Sequence, residues 1–231
     1  MSTAAGLDRG GPLARVLDDP RVVVAEMDPR DVVPEADLYG EEVAAIEHAV
    51  LSRRQQYTAG RQLARRAWQA LGLAPQPLLN DAQRVPRWPA GLVGTITHTQ
   101  GWCGAAVALA GTVSWLGADV EAATPLELGL WERVCRPEEH AFLHAQPAAL
   151  QGLLAKAIFS AKESIYKALY PGVRVFLDFQ GMSIALTAID AVEWRWHATL
   201  QLPWGAHAAG QRFGEGRLRI EPELIVSAVV L

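Results

Sequence analysis

The chain has 231 residues, half of them hydrophobic, with 21 lysines and arginines against 25 aspartates and glutamates and a formal net charge of -4. That length supports a sizeable core in one large domain or two small lobes, while the acidic balance gives no whole-chain footprint for nucleic acid or an anionic membrane, so any phosphate binding is local. The two cysteines, Cys103 and Cys135, show no CxxC spacing, which excludes a disulfide framework or a thiolate zinc site and suits reduced thiols in the cytoplasm.

In chain order, residues 1–20 read as a mobile lead-in with glycine, proline and charge, without a basic start followed by an apolar run. No later stretch is long and uncharged enough to cross a bilayer, so a soluble, unsecreted protein is expected. Residues 22–27 offer a first strand. Residues 35–71 read as helix, interrupted near Gly40 and Gly60, with Val43, Ile46, Val50, Leu63, Ala67 and Leu71 at recurring apolar positions. A proline-rich loop over 75–89 follows. Residues 91–97 and 102–109 read as two strands joined by the turn His98-Thr99-Gln100-Gly101, which puts His98 at a strand end.

A third strand over 114–120 ends in Asp119-Val120-Glu121, and period two aims both carboxylates to one side. The pattern is helical over 126–143, pauses at Gln146-Pro147, and resumes as a long helix over 148–170 stopped by Pro171-Gly172. In that helix Leu150, Leu154, Ala157, Ile158, Ala161, Ile165, Ala168 and Leu169 mark a buried face, and Glu163 and Lys167 fall four apart on the other. The tail is strand-rich over 182–186, 191–200 and 218–231. This order predicts an α+β chain in two similar lobes, residues 21–115 and 116–231.

Asp119 and Glu121 converge on one face of a strand end, and Glu163 joins them if its helix packs across that strand. Three carboxylates with no soft ligand favour magnesium, a hard cation usually completed by substrate phosphate oxygens. Taken alone, the Asp-x-Glu triplet is an ordinary solvated strand end and Glu163 with Lys167 an ordinary helix pair. The neighbouring basic residues turn the reading toward a polyphosphate, whose oxygens need cations beyond the metal.

Taken in order, Arg54, Gly60-Arg61, Trp88-Pro89, Gly94-Thr95-Ile96-Thr97-His98, Gly117-Ala118-Asp119-Val120-Glu121 and Phe159-Ser160-Ala161-Lys162-Glu163-Ser164 with Lys167 form a specific set. It resembles the 4'-phosphopantetheinyl transferases of the surfactin and enterobactin synthetase class over roughly residues 45–170. The resemblance implies two α+β lobes packed as a pseudo-dimer in a monomer. It also implies magnesium-dependent transfer of the phosphopantetheine arm of coenzyme A to a serine of an apo acyl or peptidyl carrier protein, releasing adenosine 3',5'-bisphosphate.

By position it implies Asp119, Glu121 and Glu163 as magnesium ligands and Lys167 on the same phosphates. Thr97 and His98 would touch coenzyme A phosphate, and Arg54 and Arg61 its nucleotide end with the 3'-phosphate. Arg87, with Arg84 and Trp88, lies where relatives line the adenine pocket. Glu138 or Lys167 would act as base for the carrier serine, and Lys162 is either solvated or a phosphate contact. Phe159 replaces a common tryptophan and Ala118 a frequent isoleucine, and neither change removes a ligand. The segment 126–143 is the expected carrier-docking face. No covalent nucleophile is required, since in-line phosphoryl transfer rests on positioning and charge. Two alternatives use the same residues: a coenzyme A-binding protein without transfer activity, and a magnesium phosphoesterase that consumes coenzyme A without a carrier.

Overall fold

In the computed structural model, which describes residues 10–231, the chain divides between Leu116 and Gly117 into an N-terminal and a C-terminal unit. The N-terminal unit runs α1 (Pro12–Leu17), β1 (Val22–Met27), α2 (Gly40–Ala44), α3 (Leu51–Ala70), β2 (Leu92–Thr99) and β3 (Trp102–Leu109). β3 is the central strand, paired antiparallel with β1 on one side and β2 on the other. α3 lies on this sheet, with Ala59, Leu63, Ala67 and Trp68 in one buried cluster with Ala25, Ala105 and Val107. Gly60, expected to interrupt the helix, is a contact point instead: a Cβ there would stand 2.9 Å from Ile96 Cγ2. The break falls earlier, between α2 and α3.

Residues 12–17, expected within a mobile lead-in, form α1. Pro12 opens the helix, Leu13 and Val16 are buried, and the Glu26 carboxylate accepts from Leu13 N at 3.2 Å and Ala14 N at 2.9 Å. A buried face plus a satisfied N-terminus holds the segment. Residues 1–9 of that lead-in lie outside the described residues.

The C-terminal unit runs β4 (Leu116–Ala122), α4 (Leu128–Val134), α5 (Pro137–His144), α6 (Ala148–Val173), β5 (Met182–Ala188), β6 (Glu193–Leu200), β7 (Arg212–Ile220) and β8 (Leu224–Val230). Its five strands lie in the order β4-β8-β7-β6-β5, antiparallel from β5 through β8. α6 packs on β8, burying Leu154, Ile158, Ala161, Ile165 and Leu169. Each unit thus sets one long helix against a sheet, an α+β arrangement.

Three boundaries differ from the sequence reading. The helix expected over 126–143 is two, because Pro137 has no N–H to continue α4 and instead opens α5. α6 runs through Pro171 for a last partial turn and ends at Arg174 in the left-handed region, φ 59. The strand expected over 218–231 is the hairpin of β7 and β8, closed by Glu221 N donating to Leu224 O at 2.8 Å. Leu150, in the first turn ahead of the buried Leu154, is exposed rather than on the buried face.

Candidate active site

β4 comes against the backbone of α6 at Gly117. A Cβ there would lie 2.0 Å from the Ser164 carbonyl oxygen and 2.7 Å from Ala168 N, so only glycine lets the strand reach the helix backbone. The position of α6 along β8 is fixed by three buried hydroxyls. Ser227 Oγ sits 2.9 Å from Ser160 Oγ and 2.5 Å from Ser164 Oγ, and Ser164 Oγ also donates to Ser227 O at 3.0 Å.

This packing brings Asp119 and Glu121 of β4 together with Glu163 and Lys167 of α6. Lys167 Nζ donates to Asp119 Oδ1 at 2.6 Å, and Lys156 Nζ lies 3.6 Å from Glu121 Oε2. The sequence suggests a Glu163–Lys167 helix pair; the structure gives Lys167 to Asp119, a carboxylate only 4% exposed whose burial demands a donor. Burial first, then the charge of Asp119, pushes Glu121 above the usual carboxylate range, against the pull of Lys156 and Lys167. Glu163 is likewise raised, by burial first, with Lys167 opposing and Asp119 and Glu121 adding.

Among the described residues no three His, Cys, Asp or Glu side chains already stand close enough together to hold a metal ion; Asp119 and Glu121 are each paired to a lysine. The donor set nonetheless fits a hard divalent cation. It is all oxygen, and the charged forms of Glu121 and Glu163 are disfavoured by burial first and by the neighbouring carboxylates in addition, both of which a bound cation offsets.

Lys162 is not solvated, which corrects that expectation, and its ammonium is turned into the protein interior. It is 3% exposed, and its three donors go to Val134 O at 2.7 Å, Glu139 Oε2 at 2.8 Å and Phe179 O at 2.9 Å. Glu139 is consumed in return, accepting also from Arg136 N at 2.7 Å and Ile184 N at 2.6 Å. Of the two adjacent glutamates, only Glu138 faces solvent, its carboxylate 2.7 Å from Arg136 Nε. Partial burial acts most strongly on Glu138 and favours protonation, but the Arg136 hydrogen bond and charge together with local backbone donation outweigh it and hold the pKa low.

Beside Glu163 the C-terminal unit has a part-open pocket of about 110 Å³ lined by Tyr166, Phe176, Leu177, Phe179 and Met182 together with Lys162, Glu163 and Asp178. Tyr166 stacks on Trp204 at 5.7 Å. Its phenol is pushed up to about 12 by burial and by neighbouring Tyr170 and Glu163, and so stays protonated.

In the N-terminal unit, Arg61 is 5% exposed and fastens the 78–80 segment, donating from Nε to Leu78 O at 3.0 Å and from Nη2 to Asn80 Oδ1 at 2.6 Å, with its guanidinium 3.8 Å over the Tyr57 ring. Burial lowers its pKa. Arg54 is ion-paired to Glu35. Thr97 is buried while His98, the next residue on β2, is half-buried. Arg84 and Arg87 are exposed, and Trp88 packs edge-on against Trp68, ring centres 6.4 Å apart.

Two residues passed over in the sequence belong to these clusters. Arg53 Nη1 lies 3.0 Å from His98 Nε2, so Arg53, not its neighbour, joins α3 to the end of β2. Lys156 stands two turns before Glu163 on the same helix face; the same periodicity that picks out Lys167 points to it.

Family models match this chain in two places: 4'-phosphopantetheinyl transferase N-terminal domain over residues 41–108 and 4'-phosphopantetheinyl transferase superfamily over residues 116–212. The chain is 37% identical over 201 residues to 4'-phosphopantetheinyl transferase Svp of Streptomyces mobaraensis, covering 86% of this chain and 80% of that one. It is 31% identical over 223 residues to 4'-phosphopantetheinyl transferase PptT of Mycobacterium tuberculosis, covering 94% and 95%. Enterobactin synthase component D of Escherichia coli O157:H7 is 32% identical over 163 residues, 68% of this chain and 75% of that one.

Proposed function

The chain belongs to the 4'-phosphopantetheinyl transferase superfamily and transfers phosphopantetheine from coenzyme A to carrier proteins, and we propose that this transfer is centred on Asp119, Glu121, Glu163 and Lys167. The observation that carries the assignment is their convergence: two carboxylates at the end of β4, a third on α6, and a lysine ammonium 2.6 Å from the most buried of them.

Asp119, Glu121 and Glu163 would hold magnesium. Bound there, it supplies neutralisation of the pyrophosphate charge during transfer. Lys167, whose ammonium now serves Asp119, reaches a phosphate placed at the same carboxylates. Arg53, Arg54 and His98 supply donors for the nucleotide phosphates, and Arg61 and Thr97 shape the backbone around them. Arg87 stands at the adenine end. The carrier serine oxygen attacks the β-phosphorus, the bridging P–O bond breaks, and adenosine 3',5'-bisphosphate leaves with the electron pair. The serine proton passes to a base, for which Glu138 is the solvent-facing carboxylate of α5; Glu139 is fully engaged. Leu128 and Leu130, exposed on α4, offer the carrier an apolar contact. The two free, buried thiols favour the cytoplasm, and the pseudo-dimeric resemblance favours a monomer.

The test is direct. Coenzyme A, magnesium and an apo carrier domain are mixed with the protein, and intact mass reports the added arm. Transfer that survives chelation of divalent cations, or that is unaffected by Glu163→Gln, overturns the assignment of the carboxylates. Consumption of coenzyme A without a carrier would instead support a phosphoesterase.

A further inference from the structure

The transfer described above gives no part to the buried ion pair of Lys162 and Glu139. Lys162 and Glu139 have side-chain exposures of 3% and 1%, and besides each other they bond four backbone groups of the C-terminal unit. Lys162 donates to the last turn of α4 at Val134 O and to Phe179 O. Glu139 accepts from the N-cap of α5 at Arg136 N and from β5 at Ile184 N. The pair therefore grips the chain on both sides of Met182, at 179 and at 184. Phe179 and Met182 form part of the wall of the pocket beside Glu163.

A surface clasp reinforces the same connection. Gln180 Nε2 donates to the C-terminal carbonyls of α4, to Glu132 O and Arg133 O at 3.2 Å and to Cys135 O at 3.0 Å. Segment 178–184 is thus tied to the α4–α5 junction by polar groups, and Lys162 ties both to α6 one residue before Glu163.

We propose that Lys162 and Glu139 are positioning residues that fix the 178–184 segment, and with it the Phe179 and Met182 wall, against the helix carrying Glu163 and Lys167. Apolar side chains of similar volume fill such a site as well or better, but they do not hold two backbone groups at fixed points, and phosphoryl transfer is sensitive to displacements near 1 Å. The inference rests on Glu163 acting in the transfer.

The experiment compares Lys162→Met, the double variant Lys162→Met with Glu139→Leu, and Glu163→Gln, each measured for thermal midpoint, kcat, and KM for coenzyme A. Lys162→Met alone strands a buried carboxylate and is expected to lower the midpoint by about 10 °C. The double variant is expected to return to within about 3 °C of the parent while kcat stays about 10-fold down and KM for coenzyme A moves less than about 2-fold. A double variant with parental kcat overturns the proposal, leaving the pair purely stabilising. A single variant with the parental midpoint and a KM raised about 10-fold overturns it in favour of a direct substrate contact. Parental kcat in Glu163→Gln refutes the underlying assignment of Glu163 separately. If the double variant does not fold, Gln180→Ala decides: its clasp is at the surface, so a near-parental midpoint with kcat down about 3-fold supports the proposal, and parental kcat overturns it.

Discussion

The Lys167 ammonium sits 2.6 Å from Asp119 Oδ1, while Glu163, one helical turn before it, has no hydrogen bond or ion pair to its side chain among the described residues. The lysine is thus poised over the acidic end of β4. Lys167→Met is expected to lower kcat about 100-fold, the scale of removing one charge-stabilising donor, and to cost about 2 kcal/mol of stability as Asp119 loses its donor. Steady-state kinetics and thermal melts check the two effects. Full activity would move the phosphate contact elsewhere.

Gly117→Ala places a Cβ 2.0 Å from a helix carbonyl and is expected to cost about 3 kcal/mol or more, because backbone rather than a side-chain tip must move. Gly111, which has nothing within 4 Å of its Cβ position, is the control, and alanine there should change stability by less than about 0.5 kcal/mol. Chemical denaturation of the two variants measures the difference.

Arg53 and Arg54 should separate in kinetics. Arg53 is joined to His98 and Arg54 to the carboxylate of Glu35, so Arg53 carries the less compensated charge. Arg53→Ala is expected to raise KM for coenzyme A about 10-fold with kcat little changed. Arg54→Ala should raise it about 3-fold, and both effects should shrink at high salt.

Glu138 tests the identity of the base. Arg136 holds its pKa below the ordinary range, so the carboxylate is charged throughout neutral pH and is a weak proton acceptor. Glu138→Gln is expected to reduce kcat by about 10-fold at most, the low end for a general base. If Glu138 is the base, the acidic limb of the pH–rate profile falls below the usual glutamate range and vanishes in the variant. An unchanged limb transfers the role to another group.

Burial pushes the thiols of Cys103 and Cys135 up to about 12. At pH 8 they are almost wholly protonated, and thiol reagents should label neither in the folded protein. Both should react in denaturant. Rapid labelling without denaturant would show that one of the two cores opens.

Much of this site is legible in the sequence because it is carried by periodic elements. Asp119 and Glu121 share a strand face, and Glu163 and Lys167 share a helix face, as periods of two and 3.6 dictate. What spacing does not give is the partner across the interface: Lys167 chooses Asp119 over its helical neighbour because the buried carboxylate has the greater need. The same limit misplaces Lys162, whose position beside Glu163 reads as polar edge although three inward acceptors bury it. Arg53 is hidden by its equally basic neighbour, since one step around α3 separates a contact with His98 from one with Glu35. In the fold, α1 escapes notice because Glu26, thirteen residues after Leu13, supplies its capping oxygens. Gly60 misleads because a mid-helix glycine looks like a break until the strand it touches is known.

The three hydroxyls of Ser160, Ser164 and Ser227 have one further consequence, for inheritance rather than for chemistry. Each is wholly enclosed, and Ser227 is the partner that Ser160 and Ser164 share, so alanine at 227 takes a contact from two hydroxyls in a dry interior, whereas alanine at 160 or 164 takes one from Ser227 alone. Replacing all three removes the need altogether. Divergence among related sequences should therefore constrain position 227 most, with a hydroxyl there wherever 160 or 164 carries one, and a chain that keeps the hydroxyls at 160 and 164 without the one at 227 rare.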